Sequence, residues 1–253
     1  MTDASDSRYL LISDLDDTLL GDDAALKRFR DFYRNNCASR FVLAYASGRF
    51  YDSIRKDIER TELPSPDYVL GGVGSEMRRY PDGEPVAEWI EHISANWSAK
   101  KIREILKEYT RLEPQPKASQ SDYKVSYFYP DAGREALERL RADLKAAGMR
   151  IKLIYSSKRD LDVLPEQVDK GQAGAFLAQW LGIAGSRILG AGNSANDATL
   201  FEHGIKGIAV ANAHDELLQH AEATGAYASP EAYADGVRDG VIHWLKEMEA
   251  THG

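Results

Sequence analysis

The chain has 253 residues, a length that accommodates one large domain or a core domain carrying a smaller one. Its 40 acidic and 32 basic residues leave a net charge of −8, which argues against nucleic-acid binding as the main function. The single cysteine, Cys37, excludes an intrachain disulfide and suits a reducing compartment. Apolar runs stay short of the ~18–20 residues of a membrane span and no signal-peptide pattern is present, so we expect a cytoplasmic protein without a membrane partner.

The first part of the chain alternates between strand and helix patterns. An apolar run at residues 8–14 predicts a buried strand, and residues 23–36 carry apolar side chains at helical spacing. A second strand is predicted at residues 40–48, a second helix at 49–61 and a third strand at 67–77. This alternation is typical of a parallel sheet with crossover helices.

A different pattern occupies residues 80–165, where helices and strands no longer alternate regularly. The predicted elements there are a long amphipathic helix at 95–110, a strand at 123–130, a helix at 131–148, and strands at 150–157 and 159–165. The strand–helix alternation then resumes. We therefore predict an α/β fold in which residues 1–79 and 166–253 form one Rossmann-like parallel-sheet core, interrupted by an α+β insertion at 80–165.

Four polar clusters follow predicted strands or open predicted helices. They are DLDDT at residues 14–18, ASGR at 46–49, DKG at 169–171 and GNSAND at 192–197. Taken singly, each is also typical of a helix cap or a turn. Because ligands of parallel α/β sheets bind at the carboxyl ends of the strands, their joint occurrence predicts one site.

The residue types in these clusters indicate phosphoryl chemistry. Carboxylates without a His or Cys set suit Mg²⁺, while the Lys170 ammonium and the Ser47 hydroxyl suit a phosphoryl oxyanion. Asp14 could attack phosphorus as a carboxylate nucleophile. Asp16 could protonate the leaving oxygen and then activate water.

The same clusters resemble the motifs of the haloacid dehalogenase superfamily of phosphotransferases. DLDDT resembles its first motif, Asp-x-Asp-x-Thr, which implies that Asp14 is the nucleophile and Asp16 the general acid and base. The resemblance implies a Mg²⁺ cofactor and a supporting Asn196. The implied phosphate-binding residues are Thr18, Ser47, Gly48 and Lys170, and the implied metal ligands are Asp14, Asp16, Asn193 and Asp197.

Other stretches narrow the resemblance to the sucrose-phosphate phosphatase branch. GGVGSE at residues 71–76 and SSKRDLDVLP at 156–165 are the more particular ones, and the resemblance spans about residues 9–244. It implies a phosphoric monoester hydrolase that converts sucrose 6-phosphate to sucrose and phosphate through an aspartyl phosphate, with the insertion as an α/β cap. One alternative is a phosphatase for mannosylfructose phosphate or another sugar phosphate. A second is a non-catalytic sugar-phosphate-binding partner of a synthase.

Asn193 departs from the superfamily's fourth motif, which usually carries Asp there. An amide oxygen can still bind Mg²⁺ but brings no negative charge, so metal affinity should fall. The chain is then a working enzyme with weaker metal binding, an inactive relative, or a protein carrying an artificial substitution. We favour the first, because Asp14, Asp16, Ser47 and Lys170 are all present.

Sugar hydroxyls need fixed hydrogen-bonding groups. The candidate side chains for this contact are Glu76, Lys124, Ser157, Lys158, Arg159 and Asp160. The alternative for residues 158–160 is a solvated turn, since runs of charge usually lie at the surface. We expect a monomer that binds a small sugar phosphate, with a sucrose-phosphate synthase as a protein partner.

Overall fold

The computed structural model describes residues 8–156 and 158–251, which form two compact units. Of these described residues, those up to Glu84 and from Asp169 onward form the core unit, and those within Pro85–Val168 form the inserted unit. The first boundary between the two units follows residue 84, five residues after the predicted boundary at residue 79. The difference arises because the turn after residue 79 folds back on its own strand. There Arg79 N donates to Glu84 O at 2.9 Å and Gly83 N donates to Arg79 O at 3.0 Å.

The secondary structure of the described residues runs in chain order as follows. The strands are β1 (Tyr9–Ser13), β2 (Phe41–Ala46), β3 (Tyr68–Gly71), β4 (Glu76–Arg79), β5 (Glu113–Pro114), β6 (Val125–Phe128), β7 (Ile151–Ser156), β8 (Asp160–Pro165), β9 (Ile188–Gly192), β10 (Lys206–Ala209) and β11 (Tyr227–Ala228). The α-helices are α1 (Asp23–Phe32), α2 (Tyr51–Arg60), α3 (Ala87–Ser94), α4 (Ala99–Leu106), α5 (Arg134–Ala146), α6 (Lys170–Trp180), α7 (Asp215–Thr224) and α8 (Tyr233–Thr251).

A seven-stranded sheet forms the centre of the core unit within the described ranges. Its strand order is β11-β10-β9-β1-β2-β3-β4, and every neighbouring pair is parallel except β3 and β4. The five residues of β1 are all buried, as expected for a parallel strand covered on both faces. The predicted α/β class with a parallel-sheet core and an inserted α+β unit is confirmed.

Helices cover both faces of this sheet. On one face, α1 and α8 share an apolar cluster with the strands, in which Phe29 and Val237 are fully buried. On the other face, Gly174 of α6 packs against Ile12, where an added Cβ would lie 2.3 Å from the Ile12 side chain. The sheet is therefore fixed between two helical layers, and its carboxyl edge remains for polar loops.

The predicted third strand proves to be two antiparallel strands, β3 and β4. They are joined by a 3₁₀ turn at Gly72–Gly74, in which Val73 adopts a left-handed backbone with φ 61°. Val73 N donates to Ser47 O at 2.9 Å, so this turn packs against the loop after β2. A non-glycine residue in this conformation is strained, and the surrounding contacts hold it there.

The inserted unit contains a four-stranded antiparallel sheet among its described residues, in the order β5-β6-β8-β7. Helices α4 and α5 bury Ile102 and Leu140 against one face of it. The helix predicted at 95–110 is present but shorter, since α4 covers only Ala99–Leu106, and a separate helix, α3, ends before it at Ser94. Between them Asn96 has φ 57° and Ser98 caps α4, since its Oγ accepts from Lys101 N at 3.3 Å.

No helix within residues 8–156 and 158–251 is both long enough and apolar enough to span a bilayer.

Candidate active site

The loop after β1 places one carboxylate inside the protein and two outside. Asp14 is buried, and its backbone N donates to Ala191 O at 2.9 Å, which ties the loop to β9. Its Oδ1 accepts from Lys170 Nζ at 2.7 Å and its Oδ2 accepts from Thr18 Oγ1 at 3.1 Å. Asp16 and Asp17 are exposed. Of the three neighbouring carboxylates, only Asp14 is thus removed from solvent, while Asp16 and Asp17 remain in contact with water.

Lys170 contacts side chains from two other segments of the core unit, the loop after β1 and the loop after β9. It is the first residue of α6, whose N-cap Asp169 accepts from Gln172 N at 2.7 Å. Its side chain is fully buried, and Nζ donates to Asp14 Oδ1 at 2.7 Å and to Asp197 Oδ1 at 2.6 Å. A third contact reaches Asn196 Oδ1 at 3.3 Å. These contacts use all three hydrogens of the ammonium group.

Asp197 holds the loop after β9. Its Oδ2 accepts from the backbone N of Asn193 and of Ser194, both at 3.0 Å, while its Oδ1 binds Lys170. The carboxylate is fully buried, so these donors replace water around it. The contacts assign Asp197 to loop geometry and to the position of Lys170. Its role as a metal ligand stays a prediction.

Burial and charge oppose each other at the centre of the site. Burial raises the pKa of Asp14 to about 6 from its ordinary value of 3.8, against the lowering effect of the Lys170 ammonium. Burial alone would lower the pKa of Lys170, but Asp14 and Asp197 raise it above its ordinary value. The buried group thus contains one ammonium and two carboxylates and has more negative than positive charge, which suits a further cation.

Two side-chain oxygens converge on the hydroxyl of Thr18. Asp14 Oδ2 lies 3.1 Å and Asn193 Oδ1 lies 3.3 Å from Thr18 Oγ1. Because a hydroxyl donates one hydrogen, it can satisfy only one of these acceptors at a time. Among the described residues no group of three or more His, Cys, Asp and Glu side chains is arranged to hold a metal. The amide oxygen of Asn193 thus lies beside this hydroxyl without adding a negative charge.

The loop after β2 lies at the same edge of the sheet, one strand away. Ser47 is buried and its Oγ accepts from Arg49 N at 3.2 Å. Gly48 is exposed, and a Cβ built there would meet nothing within 4 Å, so its backbone faces open space. Arg49 Nε lies 3.1 Å from Asp16 Oδ2, and the Asp16 side chain is 60% exposed. Ser47 and Gly48 are thus placed where a phosphate could approach backbone and hydroxyl donors.

The residues predicted to contact sugar are mostly engaged within their own units. Glu76 accepts from Tyr51 N at 2.7 Å, at the start of α2, and from Arg78 Nε at 2.5 Å. Lys124 is buried and donates to Asp162 Oδ1 at 2.7 Å and to Ser126 Oγ at 2.7 Å. Both side chains are explained by structural contacts, so their sugar contacts stay predictions.

Residues 158–160, which follow β7, agree in part with the alternative that they form a solvated turn. Lys158 is exposed with φ 50°. Asp160 accepts from Arg159 Nε at 3.1 Å and from Gln115 Nε2 at 3.1 Å. Ser157 lies outside the described residues.

The structure adds one positioning residue that the sequence did not single out. Asn212 Nδ2 donates to Asp17 O at 2.7 Å, and its Oδ1 accepts from Tyr233 N at 2.8 Å, so it fixes the DLDDT loop to α8. The sequence signal was its place in VANAHDELL, directly after a strand. A lone Asn in a loop does not reveal its partners, because they lie far away along the chain.

Comparison with known proteins decides the family. A sequence model described as Sucrose-6F-phosphate phosphohydrolase matches residues 7–245. The chain belongs to this family. It is a phosphoric monoester hydrolase of the haloacid dehalogenase superfamily, a sugar-phosphate phosphatase, which confirms the predicted enzyme class and branch.

Two relatives by sequence differ in length. The mannosylfructose-phosphate phosphatase of Agrobacterium fabrum is 36% identical over 93% of this chain and 96% of its own length. Sucrose-phosphatase 1 of Nicotiana tabacum is 31% identical over 90% of this chain but only 55% of its own length. The chain thus spans about half of the plant protein and nearly all of the bacterial one.

Solved structures confirm the fold. The sucrose-phosphatase of Synechocystis sp. PCC6803, solved with sucrose and phosphate, matches with a TM-score of 0.83 and 34% identity over 94% of this chain and 98% of its own. The haloacid dehalogenase-like hydrolase yhjK of Bacillus subtilis matches with a TM-score of 0.70 at 14% identity. The second match shows the fold alone.

Proposed function

We propose that this chain is a Mg²⁺-dependent phosphatase that hydrolyses sucrose 6-phosphate through an aspartyl phosphate on Asp14. The observation that carries the proposal is the buried Lys170 Nζ, which holds Asp14 Oδ1 at 2.7 Å and Asp197 Oδ1 at 2.6 Å. A fixed ammonium beside a carboxylate favours its anionic, nucleophilic form and can also stabilise the charge that develops on a transferring phosphoryl group.

In the first step a carboxylate oxygen of Asp14 attacks phosphorus. The bond between phosphorus and the sugar oxygen breaks, and that oxygen takes a proton from Asp16. The exposed Asp16 is free to reach a substrate atom, whereas Asp14 is held by Lys170 and Thr18. The difference in exposure supports the division of labour between the two carboxyl groups.

In the second step water attacks the phosphorus of the aspartyl phosphate. Asp16, now a carboxylate, accepts the proton of that water, and the bond between phosphorus and the Asp14 oxygen breaks. Phosphate leaves, and both carboxyl groups return to their starting protonation states. Ser47 and the backbone at Gly48 lie at the sheet edge where they would bind phosphoryl oxygens.

The chain's oxygen donors fit Mg²⁺. Asp14 Oδ2 and Asn193 Oδ1 are hard oxygens that converge beside Thr18, and Mg²⁺ sites commonly use one or two carboxylates with water and substrate phosphate completing the shell. We propose Asp14 and Asn193 as side-chain ligands. When bound, Mg²⁺ supplies positive charge that favours the anionic form of Asp14 and neutralises phosphoryl oxygens.

Two sugar phosphates compete as the substrate. Sucrose 6-phosphate is supported by the family description and by the Synechocystis structure with sucrose. Mannosylfructose phosphate is supported by the Agrobacterium relative, which matches this chain over 96% of that relative's length. We place sucrose 6-phosphate first, because the family description names it and the Synechocystis structure holds sucrose and phosphate, the two products of its hydrolysis.

A phosphate-release panel tests the substrate. Sucrose 6-phosphate, mannosylfructose phosphate, trehalose 6-phosphate, fructose 6-phosphate and glucose 6-phosphate would be compared by kcat/KM in Mg²⁺ buffer. Asp14→Asn is the blank for contaminating phosphatase. A clear preference for mannosylfructose phosphate would replace the first candidate with the second. Release no greater than the blank for every compound would overturn the proposal and favour a binding role.

Trapping of the intermediate tests the mechanism. Borohydride reduces an acyl phosphate to an alcohol, so treatment during turnover should convert residue 14 to homoserine, which peptide mass spectrometry detects. Failure to label the Asp14 peptide, with a positive result on an established acyl-phosphate enzyme run in parallel, would contradict the aspartyl phosphate. A cytoplasmic location, a monomeric state and a synthase partner stay predictions.

A further inference from the structure

Arg49 is the charged side chain that the described structure places against Asp16. It follows Ser47 and Gly48 in the loop after β2, and its main chain is held at both ends. Arg49 N donates to Ser47 Oγ at 3.2 Å, and Arg49 O accepts from Gly72 N at 2.9 Å. The base of this side chain is therefore fixed by the same loops that form the phosphate end of the site.

The far end of Arg49 is anchored on a helix. Its Nη1 forms a short charged hydrogen bond with Asp57 Oδ2 on α2. The two side chains are only 31% and 26% exposed, so water competes weakly for this pair. With its loop and its tip both fixed, the planar guanidinium has little freedom to rotate.

The remaining edge of the guanidinium faces Asp16 without using its hydrogens. Nε lies 3.1 Å from Asp16 Oδ2, but the two are not aligned as a hydrogen bond. Within the described residues, Nε and Nη2 are buried and have no hydrogen-bond acceptor. Such an edge offers two parallel donors that match the two oxygens of a carboxylate. Buried donors without acceptors are costly, which indicates that an acceptor occupies this edge during function.

We propose that Arg49 is a positioning residue, anchored by Asp57, whose Nε–Nη2 edge receives the carboxyl group of Asp16 and sets its position toward the leaving oxygen. This inference rests on the proposed acid role of Asp16. An Asp16 side chain that is 60% exposed would otherwise sample several rotamers. A correctly placed general acid accelerates a reaction by about 10²–10⁴-fold. Loss of the contact that positions Asp16 should therefore remove a measurable part of this acceleration.

The test compares leaving groups in the Mg²⁺-loaded enzyme. Phenyl phosphate and p-nitrophenyl phosphate have the same shape at phosphorus and contain no sugar. Phenolate is a poor leaving group that needs the proton, whereas p-nitrophenolate leaves readily without it. The measured quantity is the ratio of kcat/KM for p-nitrophenyl phosphate to that for phenyl phosphate.

Asp16→Asn calibrates the assay and should raise this ratio by at least about 10-fold. Arg49→Met should raise it by about 5–10-fold, with a change of less than about 3-fold on p-nitrophenyl phosphate itself. Asp57→Asn should change the ratio in the same direction by a smaller factor. Arg49→Lys should not restore the wild-type ratio, because an ammonium cannot bridge two carboxylates with the fork of a guanidinium.

Arg55→Ala is the matched control. Arg55 lies on the same helix, is exposed, and pairs with Glu59 at 3.1 Å. Its replacement should leave kcat/KM unchanged for both phenyl phosphate and p-nitrophenyl phosphate. Thermal melting of every variant identifies any that fails to fold, and if Arg49→Met is one of them, Asp57→Asn decides.

The outcomes distinguish the proposed acid role of Asp16 from the proposed positioning role of Arg49. If Asp16→Asn leaves the ratio unchanged, the proposed acid role of Asp16 is wrong. If Asp16→Asn raises the ratio and the Arg49 and Asp57 variants do not, the positioning role of Arg49 is wrong and the proposed function stands. An equal loss on both substrates with a raised KM would show that Arg49 binds phosphate directly.

Discussion

Asp14→Asn should make the metal-free protein more stable at neutral pH while abolishing its activity. Burial raises the pKa of Asp14 to about 6 from 3.8. The native state therefore keeps a proton that the unfolded state releases between pH 4 and 6. As the pH rises through this window, the buried carboxylate lowers the free energy of unfolding, and above pH 6 the penalty is complete.

The size of the stability difference follows from the difference between the native and ordinary pKa values of Asp14. The interval from 3.8 to about 6, at about 1.36 kcal/mol per pH unit, corresponds to about 3 kcal/mol. Asn resembles the protonated acid in shape and charge. Its oxygen can accept from Lys170, and its NH₂ can donate to Thr18, whose hydroxyl then donates to Asn193 Oδ1, now 3.3 Å away. Asp197 remains to pair with the ammonium.

The assay is thermal melting with EDTA at pH 4.5 to 7.5. Each kcal/mol moves the Tm of a chain of this size by about 2–4 °C, so the variant should melt up to about 6–12 °C above wild type at pH 7.5. That advantage should shrink toward pH 4.5. Asp17→Asn is the control, since Asp17 is exposed in the same loop and its φ of 56° is tolerated by Asn. A destabilised Asp14→Asn protein, or a difference that does not vary with pH, would refute the reasoning.

Three further predictions follow from single positions. Asn193→Asp should strengthen Mg²⁺ binding by adding a charged ligand, measured by calorimetry and by the Mg²⁺ dependence of activity, and unchanged or weaker binding would contradict it. Cys37 should resist iodoacetamide at pH 8 and react in urea, because burial raises its pKa to about 12, and rapid labelling of the native protein would count against this. Gly171→Ala should destabilise by at least about 1–3 kcal/mol, since its Cβ would lie 1.9 Å from Thr199 O. Gly185→Ala, which meets nothing within 4 Å, should be nearly neutral by the same denaturation measurement.

Local patterns predicted the core unit well. Buried strands such as β1 are short apolar runs, and helices such as α2 repeat apolar residues every three or four positions, so both can be read from neighbours in sequence. The inserted unit was harder. Its apolar spacing predicted one long helix at residues 95–110, but the left-handed Asn96 and the capping Ser98 set the start of α4 at Ala99, and α4 ends at Leu106. Breaks of this kind depend on one or two residues, which a periodic pattern hides.

The sequence by itself determined which chemical groups were available. The order of DLDDT, ASGR, DKG and GNSAND, each after a strand or at a helix start, was enough to predict a shared edge, because parallel strands all end on the same side of a sheet. The resemblance of GNSAND to the fourth haloacid dehalogenase motif also indicated that Asn193 stands where the superfamily usually carries Asp. These are properties of residue identity and spacing.

Only the tertiary structure decided which of those groups are buried, which are exposed and which partners surround them. It buries Asp14 on Lys170, surrounds Asp197 with donors, and leaves Asp16 exposed beside Arg49. The Lys170 to Asp14 contact joins residues 156 positions apart, and the partner of Arg49 that fixes its tip lies on a different element. Burial and long-range contacts set the charge, orientation and pKa of a side chain. Local sequence does not reveal how deeply a side chain is buried or which distant residues it contacts.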